Sequence, residues 1–511
     1  MQRILPPARS LPLFGVEHTR AIERRMSAAL PPHALMRRAG AAVARLALAL
    51  APHAQRVWIA AGPGNNGGDG LEAATQLLAA GKAVQVTLVC DVKRMPDDAR
   101  DALTRAQAAG VNIGSTPPPE LDSGDIAIDA LLGIGASRPP SDALAALIGD
   151  LDALPCPVLA IDTPSGLNTD TGQALGDVCV RAAHTLVLLA LKPGLFTAAG
   201  RDHAGSVWFD ALDVDSADET PDAWLVGADI GTAPPRSHAQ HKGSFGDVAI
   251  VGGAAGMTGA ALLAARAAHA AGAGRVYLSL LDPAAPSHDP LRPELMLRRV
   301  WWKTAEETLA HTTVVCGCGG SDAVREPLPR LLATSARLVL DADALNLIAT
   351  DSQLQTLLRA RAARQRFSVL TPHPLEAARL LESSAAQVQA DRLSAARALA
   401  DRFDCAVVLK GSGSVIAAPG EVARINPTGN AALATAGTGD VLAGWIGGLW
   451  AQHASDATQH GTLQVASRAT FEHGAAADAV ATPVLRAGDL IDRLHASLSA
   501  PPRGLDRGLA R

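Results

Sequence analysis

Short β-rich runs that end in small or polar residues and give way at once to helical sequence recur along this chain, and they restrict its fold more than any other feature. RVWIAA, ending at Ala61, is closed by GPGNNGGDG and followed by GLEAATQLLAAG and then AVQVTLV. A strand, a turn, a helix and a second strand in that order make the strands parallel. DIAIDALLG, PVLAID and HTLVLLA continue the series, with ARDALTRAQAAG and SDALAALIGDLDAL as helices between them. Residues 18 to 50 read as two helices ahead of the first strand, broken at Pro31 and Pro32. The pattern then restarts. DVAIVGG, RVYLSLL, TTVVCG, RLVLDAD, FSVLTPH and CAVVLKG are strands, most of them followed by helical sequence such as TGAALLAARAAHAAG. The expected fold class is α/β with two doubly wound domains, each with its site at the carboxyl ends of the strands.

A length of 511 residues with 48% hydrophobic residues exceeds what one core usually supports, which also favours two domains. The acidic, polar stretch DVDSADETPD and the prolines of TAPPRSHAQ set the boundary, giving domains at 1–218 and 225–500 and a disordered tail at 501–511. A net charge of -5 and 3% aromatic residues argue against nucleic acid or an anionic membrane as partner. The six cysteines are scattered through apolar segments and read as reduced core residues; Cys316 and Cys318 lack a second pair at metal-ligand spacing. MQRILPPARSLPLF is too short and proline-broken for a signal peptide, and the apolar run from Ala39 contains Arg45 and stops at Pro52. A soluble, cytoplasmic protein is expected, as a homo-oligomer.

Three strand ends of the first half carry polar or Gly-rich loops. GPGNNGGDG departs from the dinucleotide fingerprint because two amides and an acid replace variable positions, so it offers side-chain oxygens as well as backbone donors. Asp129, with LLGIGASRPP behind it, and IDTPSGLN, with Asp162 and Ser165, are the others. Oxygens of Asn66, Asp129 and Ser165 can converge on a hard monovalent or divalent cation, while Gly133, Ile134, Gly135 and Asp162 face a ligand.

In the second half, NPTGNAALATAGTGDVLAG places a Gly-rich turn and a carboxylate at the start of an apolar helix. The backbone N–H groups of Gly437, Thr438 and Gly439 suit a transferring phosphoryl group, and Asp440 beside them suits taking a proton from a substrate hydroxyl. Neighbouring strand ends add Gly259 and Ala260 near a ligand ring, Gly319 from CGCGGSD, His373 between two prolines, and Lys410 with the small residues through Ser414 for a nucleotide phosphate.

GNNGGDG, the strand-end Asp129, the Ser165 loop and LKPGL together make the first half resemble the Rossmann-like N-terminal domain of the YjeF family, the NAD(P)HX epimerases. The resemblance implies that Asn65, Asn66, Gly67, Gly68 and Asp69 bind the hydrated nicotinamide dinucleotide, which makes it the ligand that Gly133, Ile134, Gly135 and Asp162 are expected to face. It also implies that Asn66, Asp129 and Ser165 hold potassium. Asp162 is the candidate acid-base residue. The departures are Thr163, where the family motif D-I-P-S-G has Ile, and WFDALDVDSADETPD after the last strand.

KGSFGDVAIVGG, DADALNL, TPHPLEA and NPTGN with ATAGTGDVLAG make the second half resemble the ribokinase-like YjeF C-terminal domain, the ADP- or ATP-dependent NAD(P)H-hydrate dehydratase. The resemblance implies substrate contacts from Gly319, His373 and Asp440, and adenine-nucleotide contacts from Lys410, Gly411, Ser412, Gly413, Ser414 and Gly439, with Mg²⁺ accompanying the nucleotide. The family's G-P-G-L-G is GCGGS here, with Ser321 at the last Gly, and K-G-A-G-T is KGSGS. The expected function is repair of hydrated NADH and NADPH by epimerisation of the R and S forms and dehydration of the S form at the expense of ADP or ATP. A ribokinase-like small-molecule kinase and a non-catalytic binding module are the alternatives.

Overall fold

The computed structural model describes residues 1–118, 120–214, 219–231, 236–453 and 458–498. The chain divides into two compact units, one of Met1–Pro7 with Leu11–Leu225 and one of Ala8–Ser10 with Val226–Arg511. The expected boundary at residue 218 and the expected tail at 501–511 lie outside the described residues.

The first unit is built on an eight-stranded sheet. From one edge to the other its strands are Gln2–Arg3, Ser206–Asp210, His184–Leu188, Val158–Ile161, Ile126–Ala130, Arg56–Ala61, Ala83–Leu88 and Asn112–Gly114. All neighbours are parallel except the first pair. The central strands are buried almost throughout, as expected for a parallel sheet covered on both faces, and this explains why RVWIAA and PVLAID are apolar runs without alternation. Chain order reverses between Arg56–Ala61 and Ile126–Ala130, so the loops after these two strands diverge and leave a crevice.

One expectation is corrected here. GPGNNGGDG is a loop only as far as Gly64; the helix Asn65–Ala79 already contains NNGGDG. Its glycines serve packing. A Cβ on Gly67 would lie 2.1 Å from the Gly62 carbonyl oxygen, and one on Gly68 would lie 2.6 Å from the end of Met36 on the neighbouring helix Ala34–Leu50. Gly40 of that helix reciprocates, since its Cβ would meet Glu72 at 2.4 Å. Glu72 is in turn held by Arg105 at 2.7 Å.

The second unit repeats the doubly wound plan. Its strands run Met296–Leu297, Arg275–Leu280, Asp247–Gly252, Thr312–Cys316, Arg337–Leu340, Phe367–Leu370, Ala406–Leu409, Val415–Ala417 and Arg424–Ile425. They are parallel as far as Ala406–Leu409, and the last two are antiparallel. KGSGS is thus a hairpin connection rather than a strand-to-helix turn, with Gly411 at φ 139° and Gly413 at φ 60° in conformations that L side chains rarely adopt. The reversal of chain order falls between Asp247–Gly252 and Thr312–Cys316. Ser321 stands at φ 45°, a left-handed conformation, with its amide donating to Asp343 Oδ2 at 2.8 Å.

The helix Thr438–Gln452 is buried on almost every side, which is why its sequence lacks an amphipathic pattern. Glycine makes room for it. A Cβ on Gly444 would lie 2.0 Å from the Ala264 carbonyl oxygen of helix Thr258–Ala270, and one on Gly448 would lie 2.5 Å from the Ala268 carbonyl oxygen. No helix among the described residues is long and apolar enough to cross a membrane. Because a methyl group cannot fit without parting two helices, Gly444→Ala should destabilise the second unit by about 1–3 kcal/mol, the usual scale of overpacking. Chemical denaturation measures this, and an unchanged midpoint would show that the helices are not in this close register.

Candidate functional site

In the first unit the loops at the reversal point open onto an 810 Å³ cavity. Asn65, Asn66, Asp69, Gly133, Ile134, Gly135 and Asp162 line it, and Gly67 and Gly68, packed as above, are not among its lining residues. Asp129 lies behind this wall, fully buried. Its Oδ2 accepts from the Ser165 amide at 2.8 Å, and its Oδ1 accepts from Ser165 Oγ at 2.6 Å and the Leu131 amide at 3.2 Å. Burial lifts the Asp129 carboxyl to about 6 despite these bonds. Asn66 donates through Nδ2 to the Leu132 carbonyl at 3.0 Å, whereas its Oδ1 is buried without a partner. The structure therefore brings Asn66, Asp129 and Ser165 together, with one orphan oxygen and one carboxylate that lacks a cationic partner among the described residues.

Across the cavity Asp162 occupies a left-handed backbone conformation at φ 67°. Its Oδ1 accepts from the Leu188 amide at 3.1 Å and pairs with the Lys192 ammonium, which is fully buried and also donates to the Leu188 carbonyl at 2.7 Å. Glu23 and Asp69 share the cavity with this pair. Burial and then the nearby Asp162 push both carboxyls upward, so two carboxyls with a raised affinity for protons and an ion-paired carboxylate face the same space. Glu23 was not recognisable in the sequence, where IERR on an amphipathic helix looks like a solvated face. Lys192 was visible only as part of LKPGL.

In the second unit Gly437 caps the helix Thr438–Gln452 at φ 92°. Among the described residues the amides of Gly439 and Asp440 have no backbone acceptor, the ordinary condition of a first helical turn, and remain available to an anion. His473 reinforces the turn from behind. Burial lowers its pKa to about 4, so the neutral ring donates from Nε2 to the Thr438 carbonyl at 2.9 Å.

Lys410 reaches the same place from the hairpin. A Cβ on Gly439 would lie 3.4 Å from its ammonium, and that ammonium donates to Asp341 Oδ1 at 2.7 Å. Burial works against the charge on Lys410, but Asp341 and Glu376 outweigh it and the pKa rises. Asp341 also accepts from Thr371 Oγ1 at 2.7 Å and from the Cys318 thiol at 3.9 Å. Donor atoms of Cys318, Asp341 and Asp440 all lie within 4.8 Å of one another. Burial, then Asp341, raises the Asp440 carboxyl to about 6, which leaves most of it ionised and basic at neutral pH.

Gly319, at φ 57°, packs against Ala260, since its Cβ would lie 3.0 Å from that methyl group. Gly259 beside it faces open space. His373 is the N-cap of helix Pro374–Leu381, where its Nδ1 accepts from the amides of Leu375 at 3.1 Å and Glu376 at 3.4 Å. Burial, then Lys410, lowers its pKa. A neutral imidazole that accepts at Nδ1 carries its proton on Nε2, and that nitrogen lies 3.4 Å from Glu376 Oε1. Gly411, Ser412, Gly413 and Ser414 form the hairpin turn, with Ser414 Oγ donating to the Gly411 carbonyl at 3.1 Å. The buried Arg392 supports that turn, donating to the carbonyls of Leu409 at 3.1 Å and Lys410 at 3.2 Å. Asp341 and Arg392 went unrecognised as contributors because their partners are distant in sequence.

Comparison with known proteins agrees with this division. A family model described as YjeF-related protein N-terminus matches residues 32–194, and one described as NAD(P)H-hydrate dehydratase matches residues 248–498. The bifunctional NAD(P)H-hydrate repair enzyme Nnr of Escherichia coli strain K12 is 35% identical over 481 residues, covering 91% of this chain and 88% of that protein. Its counterpart in Coxiella burnetii is 36% identical over 482 residues, covering 92% and 95%. The ADP/ATP-dependent NAD(P)H-hydrate dehydratase of Bacillus subtilis, co-crystallized with ATP and Mg²⁺, is similar at 29% identity over 53% of this chain and 94% of that one, with a TM-score of 0.43. Extended identity across both halves assigns the chain to the family of bifunctional NAD(P)H-hydrate repair enzymes.

Proposed function

We propose that this chain returns hydrated NADH and NADPH to the reduced coenzymes, the first unit interconverting the two epimers and the second dehydrating one of them at the expense of ADP or ATP. The observation that carries the dehydratase reading is the meeting of Asp440, Lys410 and the unpaired first-turn amides at one helix start. Water added across the nicotinamide 5,6 double bond leaves a hydroxyl on the carbon beside nitrogen. Asp440 takes the proton of that hydroxyl as its oxygen accepts the terminal phosphoryl group of the nucleotide. Lys410 and the amides of the Gly437–Asp440 turn stabilise the developing charge. The phosphate then leaves with its bonding pair, the ring nitrogen supplying electrons, and loss of a proton from the neighbouring carbon restores the double bond. The nucleotide brings Mg²⁺ as its counter-ion. The hairpin Lys410–Ser414 and Gly439, which lies beside the Lys410 ammonium, are the residues we assign to it. Gly319, His373, Gly259 and Ala260 are assigned to the hydrated ring.

In the first unit, opening and reclosure at the same carbon needs one group to give a proton and another to take it. We assign the exchange to Asp162 with Lys192, flanked by Glu23 and Asp69, and substrate binding to the residues that line the cavity. We assign potassium to Asn66, Asp129 and Ser165. The orphan Asn66 Oδ1, the buried Asp129 carboxylate and the hydroxyl between them are hard oxygen donors suited to it, and the ion would supply the positive charge that Asp129 lacks.

Two measurements test these assignments. Asp440→Asn keeps the size of the side chain but cannot accept a proton, so dehydration should fall about 10²–10⁴-fold, the usual loss of a positioned base, while epimerisation stays near its wild-type rate. Dehydration at the wild-type rate would remove Asp440 from its role. For potassium, thermal unfolding in K⁺ against a bulky organic cation should show a stabilisation of about 1–3 kcal/mol at saturating ion, and Asp129→Asn should abolish the difference. An ion response that survives Asp129→Asn would place the cation elsewhere.

A further inference from the structure

The hairpin Lys410–Ser414 has a buried cation behind it. Arg392, the first residue of helix Arg392–Phe403, is fully buried. Burial lowers its guanidinium to about 10, which leaves it charged at neutral pH. Nη1 donates to Gln389 Oε1 at 2.6 Å, and Nη2 donates to the carbonyls of Leu409 at 3.1 Å and Lys410 at 3.2 Å. A Cβ on Gly411 would lie 2.9 Å from both terminal nitrogens, so the guanidinium lies against the turn with no room for a side chain there.

These bonds fix the direction of two peptide groups. A trans peptide is planar, and its carbonyl and its N–H point to opposite sides. With the Leu409 carbonyl turned to Arg392, the Lys410 amide must point away, and it does, donating to the Pro372 carbonyl at 2.9 Å. With the Lys410 carbonyl turned to Arg392, the Gly411 amide must likewise point away from the guanidinium. That amide has no backbone acceptor among the described residues. The Gly411 carbonyl is occupied in turn by Ser414 Oγ at 3.1 Å. The carbonyl oxygens of residues 409 to 411, which would repel a phosphate, are thus all engaged by side chains, while a backbone N–H of the turn remains to be used. Glycine at φ 139° would tolerate either orientation of the peptide before it, since it lacks the Cβ that would bar one of them. Arg392 makes the choice.

We propose that Arg392 is a positioning residue for the nucleotide: by holding the carbonyls of Leu409 and Lys410 it presents the Gly411 N–H to the phosphates of ADP or ATP and keeps the Lys410–Gly411 peptide from turning a carbonyl oxygen towards them. This rests on the assignment of the hairpin to the nucleotide. Arg392 acts through the backbone, and a planar guanidinium suits the task because one fork can serve several acceptors at fixed angles. The ammonium of Lys410 has its own anchor in Asp341 at 2.7 Å, which is independent of Arg392. The groups assigned to the hydrated ring, Gly319, His373, Gly259 and Ala260, stand on other loops. Loss of Arg392 therefore weakens the nucleotide selectively.

The test compares Arg392→Met, which keeps the length and removes every donor, with Arg392→Lys, which keeps the charge and loses the fork, in the full-length chain. Dehydration of hydrated NADPH gives the KM of the nucleotide, the KM of the hydrate and kcat. Equilibrium binding of the Mg²⁺ nucleotide gives its Kd, and epimerisation and thermal unfolding report on the rest of the chain. We expect Arg392→Met to raise the KM and Kd of the nucleotide about ten-fold or more, the scale of one hydrogen bond to a charged group. The KM of the hydrate should stay within about two-fold of the wild type, with epimerisation unchanged. Arg392→Lys should fall between the two. If Arg392→Met fails to fold, Arg392→Lys and Gln389→Leu, which removes the acceptor that steadies the fork, carry the same comparison with a smaller rise in nucleotide KM. Nucleotide binding unchanged in the folded variants, or a hydrate KM that rises in step with that of the nucleotide, overturns the proposal. Wild-type protein that dehydrates nothing with either nucleotide overturns the dehydratase reading itself, which the Arg392 variants alone do not.

Discussion

Each unit carries a carboxylate buried at the carboxyl end of a central parallel strand, and the surrounding architecture is arranged around the cost of keeping it there. A desolvated carboxylate is expensive unless charge and hydrogen bonds compensate it. Asp341 is compensated by Lys410, Thr371 and Cys318, which arrive from three other strand ends. Asp129 is compensated by Ser165 and the Leu131 amide, without a cationic side chain, and burial leaves its pKa near 6. The same constraint thus draws the loops at the carboxyl ends of neighbouring strands together in each sheet. In one unit no cationic side chain among the described residues meets the carboxylate, and in the other Lys410 does.

The loops can converge so closely because the helices behind them are allowed to. Gly40, Gly67 and Gly68 bring two helices and a strand end into contact in the first unit, and Gly444 and Gly448 do the same for two helices in the second. These positions fix where Asn66 and Asp440 point. A helix displaced by the width of a methyl group would carry the N-terminal turn of Thr438–Gln452 away from Lys410. The catalytic geometry is in this sense a consequence of packing between backbones.

Much of this was readable in the sequence. Periodicity and turn residues located the parallel strands and the helices between them, and the polar strand ends singled out loops that the structure gathers at the candidate sites. What could not be read depended on partners distant in the chain. NNGGDG looked like a loop because glycine usually signals a turn, yet its glycines answer steric demands from Gly62 and Met36. Nothing in KGSGS itself shows that the strands that follow it are antiparallel. Glu23 and Arg392 carry no local signature, since a charged residue on a helix is ordinarily solvated, and Asp341 stands in the motif DADALNL without any sign there of its bond to Lys410. Cys318 read as an inert core residue, and burial alone is consistent with that; its place between two carboxylates is visible only in three dimensions.

The central claim is that one chain supplies two consecutive steps, so that the epimer the second site cannot use is delivered by the first. It is tested most directly by giving purified protein the R epimer of hydrated NADPH alone, with ADP or ATP and Mg²⁺, and following the return of dihydropyridine absorbance. The account predicts complete conversion, delayed by the time epimerisation takes, and no conversion without nucleotide. R epimer that persists unconverted while the S epimer is consumed, or recovery that proceeds without nucleotide, would contradict it.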